Sequence, residues 1–244
     1  MPLWFGSLNI DCRNNLRDVD RFLQETRCDL VCLQEVFEID LMRWRDLFPH
    51  QQFAPMTIHR RPEGLLTIGV AILARAELSL QREAPFYYLA NSSFVLPLDS
   101  TTPESRRKTE GRVLVSCTIT KEGMVYRVGT THFTWVPDGK PDDHQRRDAR
   151  KLLEHLALRE EFILCGDFNT PRGGEIWAEI TRWGADAVPK ECDTSIDPER
   201  HRVSGLRTLV DGIWSRGPYL VSNVRMQFGV SDHAALMGSV TRIL

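Results

Sequence analysis

Several features are missing from this sequence, and each absence narrows what the chain does. It has no basic-then-apolar leader, and no stretch of about 18 apolar residues, the minimum for a membrane helix. The expectation is a soluble, intracellular protein, cytoplasmic and without stable membrane association. No repeat with a period of roughly 20 to 50 residues occurs, and no low-complexity linker, which excludes solenoid arrays and tethered modules. Charge of one sign is not in excess either. The 31 basic and 33 acidic residues leave a formal charge of -2, so bulk electrostatics is not how this chain would hold nucleic acid, although a local basic surface remains compatible. A paired cysteine framework is also missing. Cys28, Cys32, Cys117 and Cys165 lie inside apolar runs where a thiol behaves as a small hydrophobe, and Cys165 and Cys192 do not supply a second pair to match Cys28 and Cys32.

What is present is enough material for a large core. The 244 residues, 42% apolar and 26% charged, read as one α/β domain over residues 1–244. Of the 31 basic residues 26 are Arg, whose planar fork suits bidentate phosphate contacts, though a biased base composition gives the same imbalance. The run Leu3 to Ile10 predicts a strand. Residues 14–26 follow as a helix, with Leu16, Val19, Phe22 and Leu23 on one face, and Asp29 to Val36 predicts a buried strand. A second helix is expected over 39–48, and strands over 68–74, 112–120 and 124–133, the last two joined by a hairpin at Gly123. Ala149, Leu152, Leu153 and Leu156 mark a helix between Pro141 and Arg159. A strand over 162–165, a helix over 175–183 and strands near 209–214, 220–226 and 234–240 complete the chain. Two arginine-bearing stretches read as loops, 57–64 with Arg60 and Arg61 and 100–111 with Arg106, Arg107 and Lys108; either could grip a charged ligand, but a solvated loop is the commoner meaning.

The informative feature is polar residues at the ends of apolar strands. Asn9 and Asp11 end the first, Glu35 ends the second, and His132 follows the strand from Met124. Asp167 and Asn169 follow the strand over 162–165, Asp211 lies beside Val210, and Asp232 with His233 precedes the last strand. Singly, each has a plain explanation. Glu35 could form a buried ion pair or face water at an edge, Asp167 or Asn169 could cap a helix or make a turn, and His132 could be a satisfied core histidine. Asp232 could be a turn residue and Asn9 a loop residue. Five carboxylates, two Asn and two His together at or beside strand termini are harder to explain that way, because open α/β sheets place active sites at that edge.

In order along the chain, the segments Leu8-Asn9-Ile10-Asp11, Leu33-Gln34-Glu35-Val36, Thr131-His132-Phe133, Gly166-Asp167-Phe168-Asn169-Thr170-Pro171, Val210-Asp211-Gly212-Ile213 and Ser231-Asp232-His233 resemble the ordered motifs of the endonuclease/exonuclease/phosphatase superfamily. The resemblance implies a deoxyribonuclease-I-like four-layer α/β sandwich, two packed mixed β-sheets flanked by helices, with the active site where the sheets meet. It also implies a metal-dependent phosphoric ester hydrolase. Glu35, with Asp11 and Asp232, would hold Mg²⁺, or Mn²⁺ in its place. Asp167 would orient water with help from Asn169, His233 would contact the phosphate while Asp211 holds its other nitrogen, and His132 and Asn9 would donate to phosphoryl oxygens. Whether His233 or Asp167 is the base stays open at this level. Val36 after Glu35 is unlike the abasic-site endonucleases, and Val210-Asp211-Gly212 is unlike the inositol polyphosphate 5-phosphatases. The opening Asn-Ile-Asp and the Thr-His strand end are similar to the second-type tyrosyl-DNA phosphodiesterases, with Phe168 where those have Thr. The implied partner is a phosphoester substrate, nucleic acid among the candidates, handled by a monomer. Two alternatives share the motifs: a lipid or sphingolipid phosphodiesterase, whose membrane-facing loop would have to be the segment 84–94 with Phe86, Tyr87, Tyr88 and Phe94, and a catalytically silent module of the same fold.

Overall fold

The computed structural model describes residues 1–89 and 95–243. Its opening follows the predicted β-α-β order. β1 (Leu3–Asn9) runs parallel to β2 (Leu30–Phe37), with Phe5 opposite Leu30 and Asn9 opposite Gln34. Parallel neighbours need a crossover, and α1 (Leu16–Glu25) supplies it, burying Val19, Phe22 and Leu23. The helix expected over 39–48 is instead a single 3₁₀ stretch, Glu38–Trp44. Pro49 drives the residue before it out of the helical region, so the expected helix cannot run through Phe48.

A long hairpin follows, β3 (His50–Arg61) and β4 (Gly64–Ala74), where the sequence predicts a strand only over 68–74 and a loop over 57–64. β3 escapes notice because Pro55 interrupts it and its apolar residues are sparse. It tolerates the proline because it is an edge strand and its pairing shifts register between Pro55 and Thr57. β5 (Ser79–Arg82) and β6 (Phe86–Leu89) both pair with β7 (Arg112–Lys121), and the presumed loop 100–111 contains a short helix, α2 (Pro103–Thr109), capped by Thr102. In β6, Tyr88 is buried and its hydroxyl bonds Thr131, so residues 86–89 belong to the sheet and not to a membrane-facing loop; Phe94 lies outside the described residues. β7 turns into β8 (Met124–His132) through Glu122 and Gly123, both at positive φ as a two-residue hairpin requires. Then come α3 (Asp143–Ala157), β9 (Phe162–Asp167), α4 (Glu175–Trp183), the two-residue β10 (Ala185–Asp186), β11 (Asp211–Arg216), β12 (Tyr219–Gln227) and β13 (Ala235–Arg242).

The strands form two mixed sheets, ordered β12-β13-β1-β2-β4-β3 and β10-β11-β9-β8-β7-β5, with β6 beside β7. Their inner faces pack together. Side chains alternate along β2, so Leu30 and Cys32 join Val115, Val128 and Cys165 of the second sheet in one core, while Val31 and Leu33 join α1 on the outside. Leu152 and Leu156 of α3 and Ile176 and Ile180 of α4 cover the far side of the second sheet. The result is helix, sheet, sheet, helix: the four-layer α/β sandwich. Each large aliphatic or aromatic side chain sealed in this way contributes about 1.5 to 3 kcal/mol. No helix among the described residues is long and apolar enough to cross a membrane.

Candidate active site

The alternation that builds the core also delivers polar residues to one end of it. Along β1 the inward series is Leu3, Phe5, Ser7, Asn9, so Asn9 points at the second sheet, and its Nδ2 donates to Asp167 Oδ2 at 3.0 Å. Glu35 belongs to the other series, Val31, Leu33, Glu35, and by strict alternation would face α1. A register shift between Leu33 and Val36, with Glu35 at φ +56, breaks the series and re-aims the carboxylate. Glu35 Oε1 then accepts from Asn9 Nδ2 at 3.3 Å and lies 3.7 Å from His132 Nε2 of the opposite sheet.

The second sheet supplies its share through β8 and β9, whose parallel register sets His132 opposite Asp167. That pairing depends on Gly166. A Cβ there would fall 2.1 Å from the Thr131 carbonyl oxygen, and φ is +144. Antiparallel β11 begins where β9 ends, placing Asp211 opposite Asp167. The two sheets end their key strands alike: Asn9 Oδ1 accepts the Asp11 N–H at 3.0 Å, and Asp167 Oδ1 accepts the Asn169 N–H at 2.8 Å. Each is an Asx turn, with Asp11 and Asn169 at positive φ. Neither Asp167 nor Asn169 caps α4; Gly174 does.

These residues surround one cleft of about 460 Å³. Asn9, Asp11, Glu35, His132, Asp167, Asn169, Asp232 and His233 line it, and Asp211 stands behind His233 with Oδ2 2.7 Å from its Nδ1. All nine residues singled out in the sequence therefore meet. The spacing of Asp167, Asp211 and His233 would suit a metal. We read it instead as a hydrogen-bonded pair facing a third group, because Asp211 and the His233 ring already satisfy one another at 2.7 Å, while His233 Nε2 lies 4.0 Å from Asp167, in charge contact but beyond hydrogen-bond reach.

Electrostatics separates the two imidazoles. Burial favours the neutral ring in both. At His132, Arg112 and His233 add to that, and the pKa falls well below the usual histidine value. At His233, Asp211 and then Asp167 outweigh burial and hold the ring protonated. Three of the acids are raised as well. Burial raises the Glu35 carboxyl and Asp167, Asp232 and Asp11 raise it further; burial followed by Asp232 raises Asp11; burial followed by Asp211 raises Asp167 against the pull of His233. A floor of carboxylates that raise one another offers hard oxygen ligands and calls for a cation, and the one thiol beside it, Cys12, donates to Glu35 Oε2 at 3.5 Å without lining the cleft.

A model of the Endonuclease/Exonuclease/phosphatase family matches residues 6–233. The chain belongs to this family. Membership makes it an enzyme of the phosphoric ester hydrolase class. Solved structures of similar fold include the family protein from Bacteroides vulgatus (TM-score 0.70, 16% identity, 99% of both chains) and the Bacteroides thetaiotaomicron mannosyl-6-phosphatase Bt3783 (0.66, 13%, 98% of this chain and 99% of that one). A third is D. rerio TDP2 complexed with single strand DNA product (0.64, 16%, 98% and 99%). No curated protein matches the chain.

The family motifs do not include every residue of the cleft. Arg106, Trp135, Arg200, His201 and Arg202 line it as well. Arg106 was legible only as one of three basic residues in an apparent loop. The run Arg200-His201-Arg202 was missed; its signal was a basic cluster in a stretch without apolar periodicity. Arg60 and Arg61 are not at the cleft, and the Arg61 guanidinium lies over the Phe37 ring.

Proposed function

We propose that this chain is a Mg²⁺-dependent phosphodiesterase acting on a nucleic-acid or nucleotide-related substrate by in-line attack of water. The observation that carries the reading is the line from Asp211 through His233 to Asp167, with His132 Nε2 3.5 Å from Asp167 on the neighbouring strand and 3.7 Å from Glu35 on the opposite sheet. Glu35, with Asp11 and Asp232 beside it, fits a hard divalent cation, and these three residues would hold Mg²⁺ or Mn²⁺. When bound, the ion supplies positive charge against the negative charge that gathers on a phosphoryl group under attack.

The other tasks fall to side chains. Asp167 is fixed by the Asn169 N–H on one oxygen and Asn9 on the other, so it can orient a water along one line. A ring that is already protonated cannot take that water's proton. Asp167 is therefore the base, while His233, held by Asp211, donates from Nε2 to a phosphoryl oxygen. Neutral His132 donates beside it. Asn9, whose amide hydrogens go to Glu35 and Asp167, organises the carboxylates. The new bond joins the water oxygen to phosphorus, and the bond from phosphorus to the leaving oxygen breaks.

The fold does not choose the substrate, since one similar structure is a mannosyl-6-phosphatase and another holds a DNA product. The rim supports the nucleic-acid class, because Arg106, Arg200 and Arg202 ring an acidic floor, as a ligand with repeated phosphates would require. The test is turnover of bis(4-nitrophenyl) phosphate and of a labelled oligonucleotide with Mg²⁺. Asp167→Asn should lose about a hundredfold or more of the wild-type rate, and a wild type no faster than this variant on either substrate refutes the reading.

A further inference from the structure

Arg106 belongs to no family motif, yet it enters the cleft with its charge uncommitted to the cleft's acids. It sits on α2, and its Nε and Nη2 donate to Glu110 Oε2 and Oε1 at 2.7 and 3.2 Å. Its guanidinium lies over Trp135, 5.2 Å from the ring centroid. Nη1 has no acceptor among the described residues. Glu110 is not a private partner, since its Oε2 also lies 3.0 Å from Nη2 of Arg112, which is 2% exposed and whose Nη1 donates to the His132 carbonyl at 3.2 Å. One carboxylate thus serves two guanidinium groups, and a positive charge is left over at the cleft wall.

That placement is unusual for its surroundings. An arginine on a flexible stem in the wall of the cleft that Glu35 and Asp167 line is drawn toward their charge, where it would occupy the oxygens a cation needs. Glu110 and Trp135 hold it back: the carboxylate takes one edge of the fork and the indole takes one face, so the remaining edge keeps a fixed direction. We propose that Arg106 is a substrate-binding residue that grips an anionic oxygen of the substrate phosphate, and that Glu110 is the positioning residue that keeps it off the catalytic acids. This rests on the phosphoesterase reading above and adds two residues to it.

The experiment compares wild type with Arg106→Ala, Glu110→Gln and Arg107→Ala on bis(4-nitrophenyl) phosphate, each with and without added guanidinium ion at millimolar concentration. Arg107, next along α2, pairs with Asp142 and does not line the cleft, so it serves as the control. Arg106→Ala should lower kcat/KM about tenfold or more, chiefly through KM, and added guanidinium should restore part of the loss. Glu110→Gln should raise KM without such rescue, because the side chain is present and misdirected. In parallel, inorganic phosphate should raise the melting temperature of wild type more than that of Arg106→Ala. An Arg106→Ala enzyme with unchanged KM, a loss equal to that of Arg107→Ala, or a folded variant that guanidinium does not rescue overturns the assignment. If wild type itself shows no turnover, the phosphoesterase reading fails, and the phosphate-dependent melting shift still decides whether Arg106 holds an anion.

Discussion

His132 and His233 reach one cleft from opposite sheets and hold different charge, because their neighbours differ: Arg112 stands behind the first and Asp211 behind the second. Arg112 is itself balanced by Glu110, which makes that carboxylate a sensitive point for stability as well as for binding. Burial would raise the Glu110 pKa, but Arg112 and Arg106 outweigh it and hold the carboxyl below the usual range. The unfolded chain titrates near about 4.3, so the stability this pairing gives is complete above that value and is lost as the pH falls through the lower folded value. Glu110→Gln should therefore cost about 3 kcal/mol at neutral pH, since it strands a buried guanidinium. The gap from wild type should close as the solution is acidified. Thermal melts across pH check this, and a gap that does not change with pH contradicts it.

At the scale of elements, the site depends on how strands end and on the register between them. Gly166 sets the close approach of β8 and β9 that brings His132 opposite Asp167. Gly166→Ala should destabilise the fold by about 3 kcal/mol or more and depress activity with it. Urea denaturation beside an activity assay measures both, and a variant of unchanged midpoint would show that the approach is not needed. Much at this level could be read from the sequence. α1 and α3 followed from apolar periodicity, the buried strands from their runs of Val, Leu and Ile, and the site from polar residues that strand propensity would not place there. The rest lacked a local signal. β3 hides behind Pro55, the 3₁₀ stretch mimics a short helix, and the bulge that re-aims Glu35 shows only in its pairing with β4. Arg106 and the run Arg200 to Arg202 lie where no period applies, and their arrival at the cleft is a matter of tertiary packing.

The whole molecule divides the site between its layers. Asn9 and Glu35 belong to the first sheet and His233 to the segment that leads into its β13; His132, Asp167 and Asp211 belong to the second, and Gln34 ties the two by donating to Thr130 Oγ1 at 2.8 Å. Closing the sandwich brings Glu35, Asp11, Asp167 and Asp232 together. In the protein alone this opposes folding, as the raised carboxyl pKa values of Glu35, Asp11 and Asp167 record. A raised carboxylate costs stability above its folded pKa, and that cost is relieved on acidification. A cation in the cleft would relieve the same cost at neutral pH, so on the proposed reading its binding would be linked to cleft geometry and fold stability through Glu35. The direct test is calorimetric titration of Mg²⁺ into wild type and Glu35→Gln. Binding at neutral pH that Glu35→Gln weakens about tenfold or more is the predicted result; no binding to wild type, or equal affinity in the two proteins, would contradict the account.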